Sequence, residues 1–321
     1  MMHMSTRESD QSGPPMTKGG PTGPVRSLIA AIRPRQWPKN LLVFVAPAAA
    51  GAFKHQGQFL HALGAFGIFC VAASAVYLFN DCVDAEADRE HPVKHRRPIA
   101  SGEVTVPVAL AVAVVLAGSA VGCSLLLAGW QLMLVVATYL VVSVAYSLRL
   151  KREPVIELAA VAAGFVLRAI AGGAATHVPL SSWFLVVTCF GALFVVTGKR
   201  MAEYRRLSDA GDTGGAGGAS RAVLASYTQG FLQSTLVLTA TVTVTAYCLW
   251  AFDRAGVAAR AGNRFVWIEL TVVPVVLGIL LVLLRLEKGG GEAPEDLMLH
   301  DRSLQVLGVL WVALFVIGLY G

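Results

Sequence analysis

Long apolar stretches separated by short polar segments run along nearly the whole chain of 321 residues. Because a helix needs about 20 predominantly apolar residues to cross a bilayer, the pattern predicts nine membrane-spanning helices. We place them at residues 38–53, 59–80, 106–127, 130–148, 154–174, 182–199, 228–252, 266–285 and 303–320. Residues 1–24 are polar, rich in Pro and Gly, and lack the apolar core of a signal peptide. We therefore expect a disordered tail, residues 1–24, followed by one membrane domain, residues 25–321.

Composition agrees with this pattern. Hydrophobic residues make up 55% of the chain and charged residues 14%, with a mean hydropathy of +0.64, whereas soluble domains carry about 25% charged residues. The fold predicted is an all-α polytopic membrane bundle. The five cysteines form no C-x-x-C pair, so neither a disulfide framework nor a thiolate metal site is expected.

The distribution of Lys and Arg predicts the orientation. Cytoplasmic loops carry the positive excess, and with the N-terminus inside most of the 26 Lys and Arg residues fall on that side. The expected location is the plasma membrane, with the N-terminus and the polar loops 81–105, 149–153, 199–227 and 285–302 facing the cytoplasm. No nucleic-acid partner is expected, and a homo-oligomer is compatible with such a bundle.

An acidic cluster follows the second apolar stretch, in the sequence YLFNDCVDAEAD (residues 77–88). On a helix, Asp81, Asp84 and Asp88 share one face, with Asn80 one turn from Asp84. Three carboxylates this close repel each other, and the ordinary compensating partner for such oxygens is Mg²⁺. The alternative is a solvated helix end whose acids pair with basic residues of the same loop. Tyr77 either lines the same pocket or marks the membrane interface.

Basic residues gather at three further places. In RPRQWPKN (33–40), a helix starting at Pro38 puts Lys39 in its first turn, where free N–H groups favour an anion; the alternative is a positive anchor with an interfacial Trp. In GKRMAEYRRL (198–207), Lys199 and Glu203 are an i, i+4 pair that needs no function to explain it. Arg168 lies within a span, where it must face a polar cavity, a partner or backbone carbonyls, because it costs about 2.5–3.5 kcal/mol to insert.

The motif N-D-x-x-D-x-x-x-D, met here by Asn80, Asp81, Asp84 and Asp88, resembles that of the UbiA-type intramembrane prenyltransferase superfamily. The resemblance covers nearly the whole chain after the tail. It implies a helical bundle around a central cavity that opens to the cytoplasm. It also implies that these four residues hold Mg²⁺, for which Mn²⁺ substitutes, and that the three aspartates are catalytic.

One departure from the family pattern points to a particular branch of the superfamily. The second acidic motif, D-x-x-x-D, is replaced by GKRMAEYRRL. Together with RPRQWPKN and RAIAGG (168–173), this resembles the branch that uses phosphoribosyl diphosphate as donor and decaprenyl or another polyprenyl phosphate as acceptor, for cell-wall arabinan. These two substrates carry more phosphate groups than a prenyl diphosphate does, and their binding needs more positive charge. The resemblance therefore implies that a set of polar and basic residues binds the substrates. That set is Lys39, Tyr77, Asn80, Lys94, Arg97, Tyr146, Lys151, Arg168, Lys199, Arg200 and Glu203.

Two alternatives stay open from the sequence. A conventional prenyltransferase would use a prenyl diphosphate and an aromatic or haem acceptor, and the missing second acidic motif argues against it. An ion-coupled transporter would use the aspartates and Arg168 as an ion path. Against the transporter, the acids bunch at one membrane face instead of crossing the bilayer.

Overall fold

A computed structural model of the chain describes residues 23–209, 223–260, 266–288, 297 and 300–320. Its helices, numbered in chain order, are α1 (Pro24–Ala31), α2 (Val45–Ala49), α3 (Gln56–Val83), α4 (Ala85–Glu90), α5 (Val106–Leu148), α6 (Ile156–Thr176), α7 (Ser182–Asp209), α8 (Gln229–Arg260), α9 (Val266–Leu270), α10 (Val272–Lys288) and α11 (Arg302–Tyr320). Short 3₁₀ turns lie at Ala52–Lys54, Lys94–Arg96 and Leu150–Arg152. Nearly all of the expected tail falls outside the described residues.

The expected all-α membrane bundle is confirmed. Across the described ranges, seven helical segments are long and apolar enough to cross a membrane: α3, α5, α6, α7, α8, α9 with α10, and α11. The number nine stays a prediction, because two of the expected spans have a different form in the structure.

The first of these is α5, whose 43 residues would extend about 65 Å as one straight helix, twice the roughly 30 Å of a bilayer core. The backbone breaks at Ala128 and Gly129, where Gly129 takes a φ of 75°. Both ends of α5 lie beside the C-terminal end of α3: the Cys82 thiol contacts the carbonyl of Val106, and Lys151, just after α5, contacts Asp84. The segment is therefore a helical hairpin that runs out and back along α3.

The second is the expected span 38–53. Residues Pro34–Phe44 form a 3₁₀ helix with Pro38 inside it, followed by the five residues of α2. At rises of about 2.0 and 1.5 Å per residue these segments extend about 30 Å together. They run along α3 from Arg33, which contacts Asp81, to Phe44, which packs against Phe66. The expectation of a helix starting at Pro38 is thus wrong, because the helical turn already begins at Pro34.

Helix α6 packs close to its neighbours because of two glycines. A Cβ on Gly172 would lie 1.8 Å from the carbonyl oxygen of Val43, and one on Gly173 would lie 2.7 Å from Leu180. The small residues of RAIAGG therefore bring α6 against the 3₁₀ helix and the segment just before α7. This contact places the centre of α6, with Arg168, inside the bundle.

The alternating direction of the helices gathers polar residues at one end of the bundle. This end, which we call the charged end, holds the end of α3, the turn before α6 and the C-terminal part of α7. At the opposite end, Arg254 of α8 donates to the carbonyl of Ala49 at 2.6 Å. The sequence-predicted acids and most of the predicted basic residues lie at the charged end.

Candidate active site at the charged end

Asp81 lies at the centre of the charged end and is 3% exposed. The Arg33 guanidinium donates to both of its carboxylate oxygens, at 2.6 and 2.8 Å, and Arg97 donates to one of them at 3.2 Å. Arg33 also lies over the ring of Tyr77, 5.3 Å from its centre. Two cations therefore neutralise this buried carboxylate, and one of them fixes the predicted pocket residue Tyr77 beside it.

Asp88 shares one of these cations. Arg97 donates to an Asp88 oxygen at 2.6 Å, and the Lys94 ammonium lies 4.0 Å from the other oxygen. Asp88 is buried, whereas the Lys94 side chain is 41% exposed. Arg97 thus bridges two of the three aspartates, and the loop after α4 returns its basic residues to the acids that precede it.

Asp84 is held by a different part of the chain. Lys151, in the 3₁₀ turn after α5, makes an ion pair with Asp84, and the Asn80 amide donates to the second Asp84 oxygen at 3.1 Å. Lys151 is 67 positions away in sequence and only 11% exposed. The fold therefore supplies this lysine from a separate hairpin, and each of the three aspartates of the predicted motif has a basic partner.

This arrangement bears on the expected metal. Within the described residues, no group of three or more His, Cys, Asp or Glu side chains lies close enough to hold a metal ion. Instead, each aspartate forms an ion pair with a basic side chain. The chemistry of the donor set nevertheless fits Mg²⁺, since three carboxylates and an amide oxygen come from nine consecutive residues. In the structure, the positive charge that these carboxylates require comes from their basic partners.

Arg168 lies deeper in the bundle and is 7% exposed. Its guanidinium donates to Asn40 at 2.7 Å, to the carbonyl of Gly164 at 2.6 Å and to the hydroxyl of Tyr139 at 3.0 Å. Its centre also lies 4.8 Å from the Tyr139 ring. The alternative of a hydrogen bond to a backbone carbonyl is therefore realised, together with two polar side-chain partners, Asn40 and Tyr139.

Arg200 is tied into a second buried network. It donates to both oxygens of Glu157 at 2.8 and 2.7 Å and to Glu203 at 2.6 Å, and it interacts with the Tyr146 hydroxyl. Glu157 is fully buried. Arg200 thus links two other expected substrate-binding residues, Tyr146 and Glu203, to a carboxylate at the start of α6.

Tyr227 completes this second network. Its hydroxyl donates to Glu157 at 3.4 Å and accepts the backbone N–H of Val155 at 2.7 Å. Burial raises the pKa of the Tyr227 phenol, so the hydroxyl keeps the proton that it donates. No motif in the sequence points to this residue, because its partners come from a segment some 70 positions earlier.

The two remaining predicted lysines differ in their exposure to solvent. Lys39 is half-buried in the 3₁₀ helix, beside the fully buried Asn40, and Lys199 is exposed on α7. Among the residues that the sequence analysis did not propose for substrate binding, Arg33 and Asn40 were signalled by RPRQWPKN. Glu157 carried only the weak signal of an acid at the start of a span.

An apolar groove of about 590 Å³ opens between α2, α7, α8 and α11. Its lining is largely aromatic: Phe44, Phe53, Phe184, Tyr247, Trp250, Trp311 and Phe315. Val45 and Val316, which border it, are exposed at 40% and 47%, so the groove meets the lipid-facing surface of the bundle. The groove is therefore an apolar recess open to the lipid-facing surface, whereas Gly172 and Gly173 of α6 serve helix packing.

These features define an intramembrane enzyme-type bundle, with a polar site rich in carboxylates and guanidinium groups at one end and an apolar groove at its side. Comparison with known proteins gives its family. Residues 41–304 match the UbiA prenyltransferase family, and the chain belongs to that family. It is an integral membrane protein.

Two relatives are similar over most of the chain, and both are named decaprenyl-phosphate phosphoribosyltransferase. The protein from Corynebacterium glutamicum is 41% identical over 296 residues, which is 91% of this chain and 86% of that protein. The protein from Mycobacterium tuberculosis is 42% identical over 301 residues, which is 91% of this chain and 94% of that protein. Among solved structures, a UbiA homolog from Archaeoglobus fulgidus bound to DMAPP and Mg²⁺ has the same fold, with a TM-score of 0.65, 15% identity and coverage of 91% and 97% of the two chains.

Proposed function

We propose that this protein transfers the 5-phosphoribosyl group from phosphoribosyl diphosphate to decaprenyl or another polyprenyl phosphate. The products are decaprenylphosphoryl-5-phosphoribose, a precursor of cell-wall arabinan, and free diphosphate. The observation that carries the proposal is the sequence identity of about 40% across nine-tenths of the chain to relatives named for this activity. The charged end supports it, because both substrates bring phosphates and Arg33, Lys94, Arg97 and Lys151 line this end.

The proposed reaction requires that the two substrates be positioned and that their negative charge be neutralised. A phosphate oxygen of the acceptor forms a bond to the anomeric carbon of the ribosyl donor, and the bond from that carbon to the diphosphate breaks. The attacking oxygen is already an anion at neutral pH, so no general base is required. The contribution of the chain is to hold the two anions in line and to stabilise the charge that develops on the leaving group.

The metal proposed for the site is Mg²⁺, with Mn²⁺ as a substitute. Asn80, Asp81, Asp84 and Asp88 would hold it, and the ion would neutralise the diphosphate that leaves. The Archaeoglobus fulgidus homolog was solved with Mg²⁺, which supports the use of a divalent ion in this fold. The three aspartates are catalytic residues in this proposal.

We assign two different roles to the other predicted binding residues. We assign Lys39, Lys94, Lys151 and Lys199 to substrate phosphates, together with Arg97. Arg200 is held by two carboxylates and Arg168 by three hydrogen bonds. These two arginines, with Tyr146 and Glu203, shape the walls of the site. Tyr77 contributes its ring beside Arg33.

The lipid acceptor needs an apolar environment for its chain. The aromatic groove between α2 and α11 provides one that reaches the lipid-facing surface. The proposed orientation places the charged end in the cytoplasm of a plasma-membrane protein, since most of the Lys and Arg residues lie at that end. Phosphorylated sugars and Mg²⁺ are found on that side.

A transfer assay tests the function. Purified protein in detergent is incubated with Mg²⁺, decaprenyl phosphate and radiolabelled phosphoribosyl diphosphate, and the lipid phase is counted. We expect label in the lipid. Label transferred from a prenyl diphosphate to an aromatic acceptor, with none from the ribosyl donor, would leave only the family assignment. Ion flux through proteoliposomes without product would favour a transporter.

A further inference from the structure

The backbone at Val155 has a conformation that its side chain disfavours. Its φ is 67° and its ψ is −47°, a region that β-branched residues rarely enter. The N–H of Ile156 donates to the carbonyl of Pro154 at 2.7 Å, so residues 154–156 form a γ-turn of the strained, positive-φ type. Strain of this kind persists only where the surrounding structure holds it.

The Glu157 N–H spans this turn by donating to the carbonyl of Glu153 at 3.0 Å. The contact from outside the segment is the hydroxyl of Tyr227. It accepts the Val155 N–H at 2.7 Å, and it also donates to Glu157. Tyr227 is 4% exposed, and its ring stacks on Phe231 with 5.5 Å between the ring centres and 5° between the planes. The side chain of Val155 itself is 51% exposed, so core packing does not fix this residue.

The γ-turn joins the two polar networks of the charged end. Four residues before Val155, Lys151 lies in a 3₁₀ turn closed by hydrogen bonds from Arg152 to Arg149 and from Glu153 to Leu150. Two residues after it, Glu157 holds Arg200. Because the 3₁₀ turn and helix α6 are both regular, the direction of the chain between them is set at the γ-turn.

We propose that Tyr227 is a positioning residue, which holds the strained turn at Val155 and thereby places Lys151 on Asp84. The proposal deepens the function proposed above and rests on it for its activity readout. The contacts of Tyr227 are with Val155, Glu157 and Phe231, and not with the acidic motif. It acts through the backbone of residues 151–157, and its hydroxyl is the group required.

Three variants test this role. Tyr227→Phe removes the hydroxyl and keeps the ring stack with Phe231. Val155→Gly keeps the turn and removes its strain, because glycine adopts positive φ without steric cost. The double variant combines the two changes. Each is measured in the transfer assay with phosphoribosyl diphosphate, and hydrogen exchange is followed on peptides covering residues 150–157.

We expect Tyr227→Phe to lower kcat/KM for the donor by roughly five- to tenfold, the effect of losing one to two hydrogen bonds. The kcat/KM of Val155→Gly alone should stay within about twofold of that of the unchanged protein. The double variant should recover most of the activity lost in Tyr227→Phe. Such a non-additive result indicates that the two residues act on the same structural element. Exchange at residues 150–157 should rise in Tyr227→Phe, with no change in a control peptide from the middle of α3.

Two outcomes would overturn the proposal. One is a Tyr227→Phe variant with unchanged activity and unchanged exchange at residues 150–157. The other is a loss of activity that Val155→Gly does not rescue, since a merely structural hydroxyl would not depend on the conformation at Val155. If the unchanged protein transfers no ribosyl label, the proposed function fails, and the exchange measurement still decides the role of Tyr227.

Discussion

The ion pair between Arg200 and Glu157 gives the sharpest test of how the charged end is built. The sequence suggested Arg200 as a ligand of substrate phosphate, whereas the structure places it on a fully buried carboxylate with bonds of 2.8 and 2.7 Å. The change Arg200→Ala separates the two roles. It leaves Glu157 buried with a negative charge and without its guanidinium partner.

The expected cost follows from burial. Removing one member of a buried ion pair costs about 3–5 kcal/mol, because the remaining charge is uncompensated. Arg200 is 14% exposed and Glu157 is fully buried, so this range applies instead of the roughly 0–1 kcal/mol of surface pairs. At roughly 2 °C per kcal/mol for a chain of this size, the apparent Tm in detergent should fall by about 6–10 °C.

Two further variants sharpen the measurement. Glu203, the other carboxylate on Arg200, is 28% exposed, and Glu203→Gln should change Tm by no more than about 2 °C. The double variant Glu157→Gln with Arg200→Ala should be more stable than Arg200→Ala alone, since it removes the buried charge. The Tm of each variant is measured by thermal unfolding followed by intrinsic fluorescence. The activity of each variant is measured in the transfer assay at saturating lipid.

The reasoning is refuted if Arg200→Ala keeps its Tm within about 2 °C and raises only the KM for the ribosyl donor. Arg200 would then be a ligand of the donor, and its bonds to Glu157 would contribute little to folding. A double variant that is less stable than Arg200→Ala would equally contradict the argument from an uncompensated buried charge.

Three other outcomes are expected. Asp84→Asn should abolish turnover while leaving the protein folded, and EDTA should do the same until Mg²⁺ or Mn²⁺ is added; full activity in chelator would remove the metal from the mechanism. Lys39→Ala should raise the KM for the donor more than that for the lipid, and the opposite order would assign Lys39 to the acceptor phosphate. Gly172→Ala should cost several kcal/mol or prevent folding, because its Cβ would lie 1.8 Å from the Val43 carbonyl oxygen, whereas Gly67→Ala, with open space around it, should be neutral or slightly stabilising. Equal Tm values for the two glycine variants would contradict the close approach of α6.

Local features of the chain predicted a large part of this protein. Apolar stretches of membrane-spanning length gave the helices, and the break expected between residues 127 and 130 coincides with the non-helical backbone at Ala128 and Gly129. The spacing of Asn80, Asp81 and Asp84 on one turn of helix depends only on helical geometry, so the acidic motif was also readable. The predicted helix start at Pro38 is wrong, because the 3₁₀ helix begins at Pro34 and Pro38 lies inside it.

The partners of the charged groups were decided by tertiary structure. Arg33 meets Asp81 across 48 positions, Lys151 meets Asp84 across 67, and Arg168 meets Asn40 across 128. Sequence shows that a buried charge needs a partner, since its desolvation is costly. Which residue serves depends on how closely helices approach and where hairpins return, and contacts such as that of Gly172 with Val43 set those distances.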